Sequence, residues 1–174
     1  MKKIALTLSL LFLVSNSFSQ SLTKEIKIKR SFDITVPNYM NRTVGLNDVA
    51  SLQFKNTVKD IYGVVIEDDK EELVLAEMNY ASVNEFVEET MKTFLENQPS
   101  KKMSTPLFKK IGESNFAEFD ASYFDDELKV EIYYLFGIVE TKSTFYKVLL
   151  WCGAKEKEKY KEEFRKILYS FKSN

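Results

Sequence analysis

The chain has 174 residues, with 25 Lys and Arg against 26 Asp and Glu, no histidine and one cysteine. A formal charge of −1 with alternating signs offers no basic stripe for nucleic acid, so no nucleic-acid partner is expected. The missing imidazole excludes Ser-His and Cys-His nucleophiles and histidine-ligated metals, and a lone Cys152 leaves no intramolecular disulfide.

The opening MKKIALTLSLLFLVSNSFSQ reads as an export signal over residues 1–19. Lys2 and Lys3 supply the positive start. Residues 4–14 form an apolar run too short to span a bilayer, and Ser17 and Ser19 are small residues ahead of a cleavage before Gln20. No cysteine follows the run to carry a lipid, so a periplasmic or secreted protein is expected. Residues 20–174 are enough for one domain and its core, and losing Lys2 and Lys3 takes the formal charge from −1 to −3. No later run of eighteen apolar residues appears, so no membrane span is expected in the mature chain; a peripheral position on a membrane stays open.

Residues 25–36 (EIKIKRSFDITV) alternate apolar and polar up to Pro37 and predict an opening strand or strand pair. Lys27 and Lys29 carry the charge expected of an exposed sheet edge. The run Asn41-Arg42-Thr43 fits a glycosylation pattern and reads as an ordinary polar loop. Residues 50–55 and 60–67 predict a hairpin, with Gly63 a candidate bulge. Residues 81–98 predict a helix ended by Pro99. Ser82 and Glu85 form a capping box, and Val83, Phe86, Val87, Met91, Phe94 and Leu95 share one face.

Residues 107–152 predict a four-strand antiparallel meander whose last two strands are apolar on both faces, as in a sheet covered on both sides. Gly137 within it suits a close helix approach or a bulge. Residues 155–171 space Tyr160, Phe164, Ile167, Leu168 and Phe171 along a second amphipathic helix. The expected fold is α+β: an α/β/α sandwich with a central antiparallel sheet of about six to seven strands and one main helix on each face.

The stretch VEIYYLFGIVETKSTFYKVLLWCGAKEKEKYKEEFRKILYSFK resembles the close of PsbP-like domains, and FDITVP, ASLQF and SVNEFVEE fall where that family has its opening strands and first helix. The resemblance implies the same sandwich, known from an extrinsic photosystem protein and a nuclear Ran-binding protein, and action through protein contacts. It supplies no catalytic motif to carry over. Nothing here is recognisably photosynthetic, and the export signal speaks against a nuclear role.

Few constellations carry chemistry. Glu118 and Asp120 share a strand face at a spacing open to paired acid and base, although a solvated sheet face explains them more simply. Asp125, Asp126 and Glu127 lack the calcium-loop pattern and read as a turn, and Cys152 reads as a small buried hydrophobe. No catalytic, cofactor or metal residue is expected. Of the aromatics in the meander, most belong to the core; Tyr123, Tyr133, Tyr146 and Trp151 are the candidates for an interaction surface. The favoured function is an exported, non-enzymatic binding or accessory module contacting an envelope or secreted protein. The alternatives are a carrier holding a small apolar ligand between sheet and helix, and a hydrolase using Glu118 and Asp120.

Overall fold

Alternating apolar residues build two antiparallel sheets in a computed structural model that describes residues 22–28 and 31–174. The predicted export signal, its cleavage before Gln20 and Lys29 lie outside the described residues. A small sheet comprises β1 (Thr23–Ile28), β2 (Phe32–Pro37) and, at the far end of the chain, β11 (Lys172–Ser173). Ile26 pairs with Ile34 across the β1–β2 hairpin, with β1 at the edge and Lys27 exposed there.

The main sheet has eight strands among the described residues. They are β3 (Asn41–Arg42), β4 (Leu52–Asn56), β5 (Ile61–Asp69), β6 (Lys102–Met103), β7 (Leu107–Ile111), β8 (Ser114–Asp125), β9 (Val130–Glu140) and β10 (Thr144–Gly153). They run in the order β3-β4-β5-β10-β9-β8-β6, with β7 also on β8. The meander β7 to β10 and the β4–β5 hairpin are thus as the alternation predicts, and β5 meets β10 in the middle. The opening hairpin does not join this sheet; it packs over one face beside the C-terminal helix.

That helix, α3 (Lys157–Tyr169), follows a 3-10 turn over Ala154–Glu156 and buries Tyr160, Phe164, Ile167 and Leu168. Together with Phe32, Ile34 and Val36 of the small sheet they close a core over Leu52, Phe54, Val65, Leu135, Val148 and Leu150. Gly137 permits the close approach: a Cβ there would stand 2.7 Å from Leu168 Cδ2. Gly63 is not a bulge, since the β4–β5 register runs unbroken through its pairing with Phe54. The Phe54 ring lies over it instead, and a Cβ would also meet Leu150 Cδ2 at 2.7 Å.

On the opposite face α2 (Val83–Thr93) buries Val83, Phe86 and Val87 against Ala117, Phe119, Phe136, Ile138 and Phe145. Ser82 caps it by accepting from Glu85 N, while the Glu85 carboxylate reaches back to Ala81 N. The helix ends before the predicted Pro99. Phe94 adopts an extended conformation and Leu95 a left-handed one (φ 54°), which turns the Phe94 ring onto the sheet. Cross-sheet packing overrides continued helical periodicity here.

A short helix, α1 (Lys70–Leu75), was not expected. None of its residues is buried, so it has no apolar stripe to read, although Asp69 caps it by accepting from Glu71 N and Glu72 N. The buried Glu140 carboxylate fixes this region. Its Oε1 accepts from Lys70 Nζ at 2.8 Å, and its Oε2 accepts from Asn115 Nδ2 at 2.9 Å and from Val83 N at 3.3 Å. An anion therefore sits at the α2 N-terminus, where the helix dipole favours it.

Candidate functional site

On the α2 face, where that helix stops, four aromatic side chains cross the main sheet in a row: Tyr62 of β5, Trp151 of β10, Tyr134 of β9 and Tyr123 of β8. Trp151 pairs in register with both Tyr62 and Tyr134, and Tyr123 stands diagonal to Tyr134. Successive ring centroids lie 5.4, 5.8 and 6.3 Å apart, and Phe94 meets Tyr134 edge-on at 5.3 Å. All four are half-buried. The next row along the strands, through Phe119 and Phe136, is buried; the aromatic row is the part of this face that the shortened α2 leaves open.

Because the rings lean on one another, their edges and hydroxyls are what the row presents outward. The Tyr62 hydroxyl donates to Asp60 Oδ1 at 2.9 Å, and the Tyr123 hydroxyl to Asp125 Oδ2 at 3.2 Å. Burial, reinforced by these neighbours, pushes the phenols of Tyr62, Tyr123 and Tyr134 above their ordinary range, so the row is uncharged at neutral pH. Such a surface combines apolar area with hydrogen-bonding tips, as protein-contact surfaces do.

The structure separates the four aromatics named from the sequence. Tyr123 and Trp151 belong to the row. Tyr133 lies in the core under α3, stacked 6.4 Å from Phe164, and Tyr146 lies between Phe32 and Phe171. Tyr62 and Tyr134 complete the row and were not singled out. The clue to Tyr134 was its place on the same strand face as Ile132 and Phe136; nothing local to residues 60–67 tells that Tyr62 will meet Trp151.

The sheet face carrying Glu118 and Asp120 is covered by α3 and not solvated, a correction with a physical cause: α3 supplies cations. Arg165 Nε donates to Glu118 Oε1 at 2.8 Å, and Glu118 is only 3% exposed. Asp120 Oδ2 meets Lys157 at 3.0 Å and Lys161 at 2.9 Å, while Oδ1 accepts from the Tyr133 hydroxyl at 2.9 Å. Burial alone would raise the Asp120 pKa; its bonds to Lys161, Lys157 and Tyr133 outweigh that and hold it below the ordinary value. The two carboxylates fasten α3 to the sheet.

Asp125 Oδ1 accepts from Glu127 N and Leu128 N, the expected turn. Cys152 is buried under α3, and burial pushes its thiol up to about 12. The space between α2 and the sheet is filled by rings in direct contact, Phe86 on Phe145 at 4.3 Å and Phe94 on Phe136 at 4.9 Å. A surface depression of about 420 Å³ beside Asp120 is lined by the charged Lys102, Glu131 and Lys157 together with Met103, Ala121 and Tyr133.

The fold is that of PsbP and Mog1p. The chain is similar to the solution structure of cyanobacterial PsbP (CyanoP) from Synechocystis sp. PCC 6803, with a TM-score of 0.65 at 14% identity over 91% of this chain and 96% of that one. It is similar to the Ran-binding protein Mog1p of Saccharomyces cerevisiae, with a TM-score of 0.59 at 8% identity over 88% and 96%. It is also similar to LpqN of Mycobacterium tuberculosis, described as involved in cell envelope biogenesis, with a TM-score of 0.54 at 11% identity over 88% and 91%. No family model and no curated protein sequence matches the chain. At these identities the likeness is one of fold. Among the described residues no helix is long and apolar enough to cross a membrane.

Proposed function

We propose that the chain is an exported, non-enzymatic binding or accessory module acting through protein contacts in the cell envelope or outside the cell, with Tyr62, Tyr123, Tyr134 and Trp151 forming the contact surface. The observation that carries this reading is the half-buried aromatic row left uncovered beyond α2. Tyr and Trp are the residues that concentrate binding energy where they can be fully desolvated by a partner. The lack of histidine and the tying of Glu118 and Asp120 to α3 cations support a non-catalytic role. Among proteins of this fold, Mog1p is described as Ran-binding and LpqN as involved in cell envelope biogenesis, which supports contact in an exported setting by analogy.

The test is a photo-crosslinking side chain placed at Trp151 in the full chain, with the exposed Glu158 of α3 as comparison. A discrete protein adduct at position 151 and none at 158 is expected. Equal labelling at both positions, or no adduct at 151, overturns the proposal. Cell fractionation that finds only unprocessed protein inside the cell overturns its exported part.

A further inference from the structure

The main sheet protects most of its edges. The β3 edge is two residues long, and along β8 the register shifts by one residue between Met103↔Ala121 and Leu107↔Glu118, so the chain bulges at 104–106, where Pro106 removes a backbone donor. Beyond the bulge β7 is different. All five of its residues are exposed, with Leu107, Phe108 and Ile111 at 58, 47 and 37%. Among the described residues β7 pairs with β8 alone, which leaves the outer row of its backbone donors and acceptors without a strand. Lys109 and Lys110 stand in the middle. Lys109 lies over the Tyr169 ring at 4.9 Å, and among the described residues no carboxylate forms an ion pair with either lysine.

We propose that β7 is a docking edge for an extended acidic and apolar segment of a partner protein, which adds to the main sheet as a further strand. Backbone hydrogen bonds to the free edge supply the attraction, and side chains supply the selection. Carboxylates of the incoming segment face Lys109 and Lys110, and its apolar residues cover Leu107, Phe108 and Ile111. A second copy of this chain is a poor occupant: antiparallel pairing of two β7 strands sets the Lys109-Lys110 pair of one against that of the other, and like charges opposite one another are unfavourable. A basic segment is rejected for the same reason. This edge is separate from the aromatic row and stands or falls independently of it.

The test uses isotope-labelled full-length protein and a short acetylated, amidated peptide with two adjacent glutamates flanked by valines, so that one carboxylate falls on each face as Lys109 and Lys110 do, with a counterpart carrying lysines in place of the glutamates as control. Amide shifts and slowed amide exchange confined to residues 107–111 and the facing stretch of β8 are expected with the acidic peptide only. Reversing both charges, as Lys109→Glu with Lys110→Glu, changes exposed side chains whose effect on folding is read from the Trp151 emission. It is expected to weaken the acidic peptide about tenfold and to admit the basic one. No shift at millimolar peptide, binding indifferent to the reversal, shifts gathered on the aromatic row, or a sedimenting dimer dispersed by the reversal would each overturn the proposal.

Discussion

Leu168 of α3 lies directly over Gly137 of β9, filling the space a side chain at that position would need. The glycine is therefore a contact surface for the helix. Gly137→Ala should cost about 1–3 kcal/mol by overpacking, and Leu168→Ala about 2–5 kcal/mol through the cavity it leaves. The double variant should cost less than the two added together, because the new methyl group occupies part of the cavity. Urea denaturation of the four proteins gives the cycle; strict additivity would mean that the two residues are not in contact.

Glu140 holds Lys70, Asn115 and the first turn of α2 together. Burial alone would raise its pKa; the bonds from Lys70, Asn115 and Val83 N outweigh that and keep it below its ordinary 4.5. A depressed folded value means stability that is present above the unfolded pKa and lost as pH falls through the folded one. Glu140→Gln should therefore cost about 1–2 kcal/mol at neutral pH. The gap to wild type should narrow progressively below about pH 4.5. Denaturation midpoints measured from pH 7 down to pH 3 check both the sign and the window.

Arg165 and Glu118 should respond unequally to substitution. Arg165→Ala strands a carboxylate whose side chain is 4% exposed and should cost about 2–4 kcal/mol. Glu118→Gln leaves an arginine that still pairs with Glu162 at 2.8 Å and reaches water, and should cost about 1 kcal/mol. Equal losses in thermal or urea unfolding would contradict the covered-carboxylate geometry.

Cys152 should be silent in the native protein. Burial and a thiol pushed up to about 12 leave almost no thiolate at neutral pH. An aromatic disulfide reagent should react with it at the rate of unfolding and promptly in denaturant, and non-reducing electrophoresis should show no disulfide dimer. Fast native labelling would place the thiol at the surface.

Trp151 is the only tryptophan, so its emission reports on the aromatic row. Half-buried between Tyr62 and Tyr134, it should be quenched by acrylamide to a degree between those of a free indole and a core residue. Partner binding at the row should reduce that quenching, whereas binding at β7 should leave it unchanged.

Much of this architecture was legible because it rests on short-range repeats. Alternation in residues 107–152 gave four strands, the Ser82–Glu85 pattern gave the start of α2, and the spacing from Tyr160 to Phe171 gave the buried stripe of α3. The end of α2 was not legible, since Phe94 leaves the helix to meet Tyr134 and Phe136, residues about forty positions away that no local pattern includes. Likewise Glu118 and Asp120 look solvent-facing within their own strand, and only the docking of α3 brings Arg165, Lys157 and Lys161 onto them.

The class of fold, the two amphipathic helices and the want of imidazole chemistry follow from residue type and from periods of two or 3.6 residues along the chain. Tertiary structure alone decided which aromatics are covered and which form a surface. Tyr133 and Tyr134 are neighbours in the chain yet point to opposite faces, and their fates depend on α3 reaching across one face while α2 stops short on the other.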